Sequence, residues 1–285
     1  MKEILDVTYR VVDSMELKLD IFLPDNIQSP PPLIFWIHGG AWLMGDRKWC
    51  GMQNQIERGY AVVSIDYRLT TVAPFPACIE DCKHALAFLR ENTDKYTIDL
   101  SKVCAAGDSA GGHLVALMGT SAGHKDWEPE GSDCSVQAVI DIYGPTFTGT
   151  LLNVAEDEPT KGDEPLGSVS AQKYPPVLIS LLGAPINSAK GRTVAAAANP
   201  LTYIDGTEPP FLIIHGDNDN VVHIEQSRVF RNALEAAGND VNMFTVFGGG
   251  HGFECSTVDA VVSGFLDYVF KGVKPAVPEW AEAQE

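Results

Sequence analysis

The chain has 285 residues, 45% of them hydrophobic, with 38 Asp and Glu against 20 Lys and Arg, giving a formal net charge of −18 and a sequence pI near 4.7. Length and apolar content suit one α/β domain spanning 1–285, with an insertion, rather than two domains. The acidity argues against nucleic acid or an anionic membrane as partner, because phosphate binding needs clustered Lys and Arg.

Met1 to Val7 contain no apolar h-region, and nowhere do about eighteen apolar residues run together, so a cytoplasmic protein without a membrane span is expected. Thr8 to Val12 and Leu17 to Leu23 read as an antiparallel pair of strands. Leu33 to Ile37, approached through Pro30, Pro31 and Pro32, is a continuous apolar run suited to a buried parallel strand. Ala61 to Ile65 and Val103 to Ala106 are of the same kind, and Val136 to Ile142, Phe211 to Ile214 and Val241 to Val246 bring the expected sheet to about eight strands. Helical patterns fall between them. Ile79, Cys82, Leu86 and Leu89 form one stripe, Gly112 to Met118 can continue as a helix, Ser227 to Ala237 ends at Gly238, and Val258 to Phe270 is the last. The alternation predicts an α/β fold, a mostly parallel sheet with helices on both faces.

The interval 145–200 breaks the pattern. It lacks a clear strand, and Ala155 to Ser170 is acidic and rich in Gly and Pro, as expected of a lid-like insertion. The tail from Val273 to Glu285 is expected to be mobile. The six cysteines (Cys50, Cys78, Cys82, Cys104, Cys134, Cys255) include no close CxxC pair and read as reduced thiols. Cys78 and Cys82, near His84, are spaced i, i+4 as helix core, so no metal site is expected.

Gly107-Asp108-Ser109-Ala110-Gly111 is the most informative stretch. Strand, sharp turn and helix are the context in which a G-x-S-x-G serine stands exposed, and glycine is needed where backbone presses on backbone. Ile37-His38-Gly39-Gly40-Ala41-Trp42 follows another strand, and its glycine pair lets backbone N–H groups turn toward a common point, as an oxyanion hole requires. A hydrolytic serine also needs a base and an orienting carboxylate. His251, among Gly248, Gly249, Gly250 and Gly252 after a strand, has no core to join and is the candidate base. Asp217 and Asp219, after the strand ending at Ile214, both qualify as the acid. His38 is expected to brace its loop and His215 to bond within its own, while His84, His113, His124 and His223 fit no catalytic pattern.

These motifs, in the order Ser, Asp, His, resemble the α/β-hydrolases of the esterase and lipase group from Val7 to about Phe270. The loop His215-Gly216-Asp217-Asn218-Asp219-Asn220-Val221-Val222 is similar to the HGxxDxxV acid loop of small bacterial carboxylesterases of the acetyl-xylan and feruloyl esterase type. Gly248 to Phe253 resembles their G-x-G-H-G-F loop. The resemblance implies Asp219 as the triad acid, with Asp217 as fallback. One departure is Ala41 in the third place of the oxyanion motif, which keeps the N–H donor and narrows the room beside it.

The resulting expectation is a serine carboxylesterase that forms an acyl-enzyme on Ser109, with His251 as base and Asp219 orienting it. Gly40, Ala41 and Ala110 would supply oxyanion N–H groups, Gly39, Trp42 and Asp108 would meet substrate, and neither metal nor organic cofactor is called for. Trp42 and Trp49 read equally as sugar- or phenol-stacking rings and as core. Expected substrates are small-molecule or oligosaccharide esters with short or phenolic acyl groups, acetyl or feruloyl, on plant polysaccharide fragments. An amidase of the kynurenine formamidase type shares the same motifs. A non-catalytic binding protein on this scaffold would typically lack a triad member, and here all are present.

Overall fold

In a computed structural model, residues 1–25, 27–146, 176–273 and 280–282 are described. The chain opens with β1 (Lys2–Val12) and β2 (Met15–Leu23), followed by β3 (Pro32–Ile37), β4 (Ala61–Ile65), α1 (Ala77–Glu91), β5 (Asp99–Asp108) and α2 (Ala110–Thr120). β6 (Ala138–Ile142), α3 (Pro176–Leu182), α4 (Ala189–Ala197), β7 (Phe211–Gly216), α5 (Glu225–Ala236), β8 (Val241–Phe247), α6 (Ser256–Lys271) and β9 (Trp280–Glu282) follow. All strands join one sheet in the order β1-β2-β4-β3-β5-β6-β7-β8-β9. β1 pairs with β2, and β2 with β4, antiparallel; every later pairing is parallel.

The apolar strands are buried because both faces of the sheet are covered. Leu33, Phe35 and Ile37 of β3 point into the core under α1 and α2, while Ile34 and Trp36 point into the core under α6. β7 alternates likewise, with Phe211 and Ile213 on the first side and Leu212 and Ile214 on the second. Side chains two apart share a face, so a continuous apolar run feeds both cores. Phe35 is fully buried in the first of these cores, and truncating such a side chain to alanine costs about 3–5 kcal/mol.

The opening antiparallel pair, the parallel centre and the expected helices are all present. β1 begins at Lys2 rather than Thr8, and β5 at Asp99 rather than Val103. Among the described residues the sheet has nine strands, where about eight were expected. The addition comes from the tail expected to be loose, where Trp280–Glu282 pairs with β8. The rest of that tail, 274–279 and 283–285, lies outside the described residues. Of the lid-like interval 145–200, residues 147–175 lie outside them too. The described remainder carries α3 and α4 and, among the described residues, no strand. Among the described residues no helix is long and apolar enough to cross a membrane.

Because β3 and β5 to β8 are parallel, their carboxyl ends gather along one edge. Ile37, Asp108, Ile142, Gly216 and Phe247 end these strands, and ligand sites of open α/β sheets form along such an edge.

Candidate active site

Ser109 stands between β5 and α2 with φ 51° and ψ −118°, a left-handed conformation that a residue with a Cβ adopts only when its surroundings force it. The force comes from the elbow glycines. A Cβ on Gly111 would lie 2.0 Å from the Ile37 carbonyl oxygen, and one on Gly107 would lie 2.6 Å from the Gly111 carbonyl carbon. Ile37 and Gly107 pair across β3 and β5, so the start of α2 is pressed directly onto the end of β3.

His251, after β8, brings Nε2 to 2.9 Å from Ser109 Oγ and Nδ1 to 2.7 Å from Asp219 Oδ2. Asp219 Oδ1 accepts the N–H groups of Val221 at 2.8 Å and Val222 at 2.9 Å. Burial pushes this carboxyl upward, but the hydrogen bonds from His215, His251, Val222 and Val221 win and hold it well below the usual carboxylate range. Asp217 is exposed and accepts instead from the Gly248 N–H at 2.6 Å. Of the two acids open from sequence, Asp219 is the one brought to His251.

The loop after β3 turns through Gly40 (φ 104°), Ala41 (φ 55°) and Trp42 (φ 56°). A Cβ on Gly40 would meet the Met44 carbonyl oxygen at 2.2 Å, so this position tolerates no side chain. His38 braces the loop as expected. Its ring stacks on Tyr67 at 4.4 Å, and its Nδ1 lies 2.7 Å from the Gly39 carbonyl oxygen. Among the described residues no hydrogen bond engages the N–H groups of Gly40, Ala41 or Ala110, the last at the open amino end of α2.

Two expected substrate contacts need correction. Trp42 is 3% exposed and packs edge-on against His113, so it belongs to the core. Gly39 gives its N–H to Asp108 Oδ1 at 2.8 Å and thereby ties the two loops together rather than meeting a ligand. Asp108 also faces the adjoining cavity, where burial raises its carboxyl and the Gly39 N–H lowers it.

That cavity, about 450 Å³, is lined by Trp36, Lys48, Trp49, Asp108, Tyr143 and Phe253 among others. Of Trp42 and Trp49, the latter, 53% exposed, faces outward. Sequence reading missed Tyr143. It follows β6 with φ 45°, and its ring centroid lies 4.7 Å from that of His251 and 5.4 Å from that of Phe253. Its place at the carboxyl end of a parallel strand, before Gly144, was the available signal. Two further histidines are structural: His113 Nε2 bonds the Ala198 carbonyl, and His124 stacks on Trp127 at 4.1 Å. Among the described residues no group of three or more His, Cys, Asp or Glu is placed to hold a metal ion. Cys78 and Cys82 are buried core of α1.

Such an arrangement can deprotonate a serine, stabilise an imidazolium and offer N–H groups to an oxyanion. The chain is similar to proteins named as esterases. Esterase LipC of Mycobacterium tuberculosis is 35% identical over 81% of this chain and 55% of that protein. The chain spans about half the length of the curated relatives it matches. A bifunctional GH43-CE of Bacteroides eggerthii superposes with TM-score 0.78 at 31% identity, over 94% of this chain and 38% of that one. A truncated carbohydrate esterase from gut microbiota superposes with TM-score 0.71 at 28% identity, over 88% and 90% of the two chains. The fold is that of the α/β-hydrolases. The BD-FAE family matches residues 19–234, a segment that holds Ser109 and Asp219 and stops short of His251, and by the extent of that match the chain belongs to the BD-FAE family.

Proposed function

We propose that this chain is a serine carboxylesterase acting on short-acyl or phenolic esters, acetyl or feruloyl, carried by plant polysaccharide fragments. The observation that carries the reading is the continuous line of hydrogen bonds from Ser109 Oγ through His251 to Asp219. A relative named an esterase and a similar solved structure named a carbohydrate esterase support it.

In this account His251 Nε2 takes the Ser109 proton as Oγ attacks the ester carbonyl. Asp219 holds the Nδ1–H tautomer and stabilises the imidazolium. The N–H groups of Gly40, Ala41 and Ala110 receive the oxyanion, each donor contributing on the order of 10²–10³ in turnover. The imidazolium then protonates the departing alcohol, and a water deprotonated by His251 cleaves the acyl-enzyme. No step requires a metal or organic cofactor. The cavity lined by Asp108, Tyr143 and Trp49 exceeds what an acetyl group fills, since about 150 Å³ already admits a benzene ring.

The test is hydrolysis of p-nitrophenyl esters from acetate to palmitate, with methyl ferulate and acetylated xylan alongside. Turnover peaking at acetate or ferulate is the expected result. A folded protein inert to all of these but active on N-formylkynurenine is an amidase, and the ester reading is then abandoned.

A further inference from the structure

The geometry points to His215 and Ser227 as a positioning pair that fixes the carboxylate of Asp219, an inference that rests on the triad reading above. His215, near the end of β7, is fully buried and takes no part in the proton transfers just described. Its Nε2 lies 2.8 Å from the Val222 carbonyl oxygen and 3.3 Å from Asp219 Oδ2, and its Nδ1 lies 2.7 Å from Ser227 Oγ in the first turn of α5. A carbonyl and a carboxylate can only accept, so both call for a proton on Nε2. Nδ1 is then left to accept from the Ser227 hydroxyl.

Asp219 is consequently gripped at both oxygens. Oδ1 takes two backbone N–H groups, and Oδ2 sits between two imidazoles, His251 at 2.7 Å and His215 at 3.3 Å. His215 also ties the far end of the acid loop to β7 through Val222. Partners of this kind leave the acting group one orientation, as the hydrogen-bond partners of metal ligands do, whose loss costs about 10- to 100-fold. Ser227 extends the support to α5, which places a helix residue with no access to substrate in control of the triad acid.

The experiment compares Ser227→Ala, Ser227→Thr and His215→Phe, each in the native background and with Asp219→Asn. In the native background Ser227→Ala lowers kcat on p-nitrophenyl acetate about 5-fold and His215→Phe about 30-fold, with KM unchanged, while Ser227→Thr retains activity. With Asp219 already replaced, the same substitutions cost nothing further, which a general loss of packing would not reproduce. Folded Ser227→Ala and His215→Phe proteins with native kcat, or equal fractional losses in both backgrounds, overturn the proposal. Native turnover in Asp219→Asn alone would instead overturn the triad reading beneath it.

Discussion

Gly111 lies so close to Ile37 that a Cβ built on it would sit 2.0 Å from the Ile37 carbonyl oxygen. That oxygen belongs to rigid backbone, and the helix bearing Gly111 is the one that begins beside Ser109. Gly111→Ala must therefore displace either α2 or the end of β3. The expected outcome is a fall in thermal stability together with loss of at least about 100-fold in ester turnover, since misplacing a catalytic group by an ångström costs on that order. Melting temperature and kcat measured on the same preparation check both.

Asp217 and Asp219 separate cleanly. Asp219→Asn removes the acceptor that fixes the His251 tautomer and is expected to lower kcat about 10⁴-fold. Asp217→Asn touches an exposed carboxylate bonded to the Gly248 N–H and is expected to stay within about twofold of native turnover. Steady-state kinetics on p-nitrophenyl acetate decide between them.

Trp49 and Tyr143 wall the cavity that Asp108 also lines. Trp49→Ala is expected to lower kcat/KM for methyl ferulate on the order of tenfold while leaving the acetate ester within about threefold, because only the larger acyl group reaches that wall. Equal losses on both esters would show that the ring serves the loop and not the substrate.

Asp141, fully buried in β6, has its carboxyl pushed up to about 6 by burial, against the pull of the Gly144 N–H. A raised folded value means the native state binds this proton more tightly than the unfolded chain does. Its contribution to stability is therefore favourable at low pH and is lost as pH rises from about 4 through about 6. Asp141→Asn, which cannot ionise, should gain stability relative to the native protein between pH 4 and pH 8 by on the order of 2–3 kcal/mol. Urea titrations at the two pH values measure it, and a constant difference would contradict the assignment.

The elbow was legible in the sequence because close backbone approach admits only glycine, a requirement written locally at Gly107 and Gly111. The parallel strands were legible because burial on both faces needs unbroken apolar runs such as Leu33 to Ile37. The choice of acid was legible only through the resemblance of its loop, which implied Asp219, and not from the residues alone. Asp217 and Asp219 share a loop and a chemistry, and only the turn that points Asp219 Oδ1 at the Val221 and Val222 N–H groups separates them. Trp42 and Trp49 were equally ambiguous, because the left-handed backbone at Ala41 and Trp42 turns the first ring into the core. Trp280–Glu282 forms a strand too short for any alternation to announce it.

The role of Ser109 as nucleophile is tested by p-nitrophenyl acetate turnover of Ser109→Ala beside the native protein, with matched circular dichroism. The expected result is a folded variant whose kcat has fallen by at least about 10⁴-fold. A folded Ser109→Ala protein that keeps native turnover would contradict it.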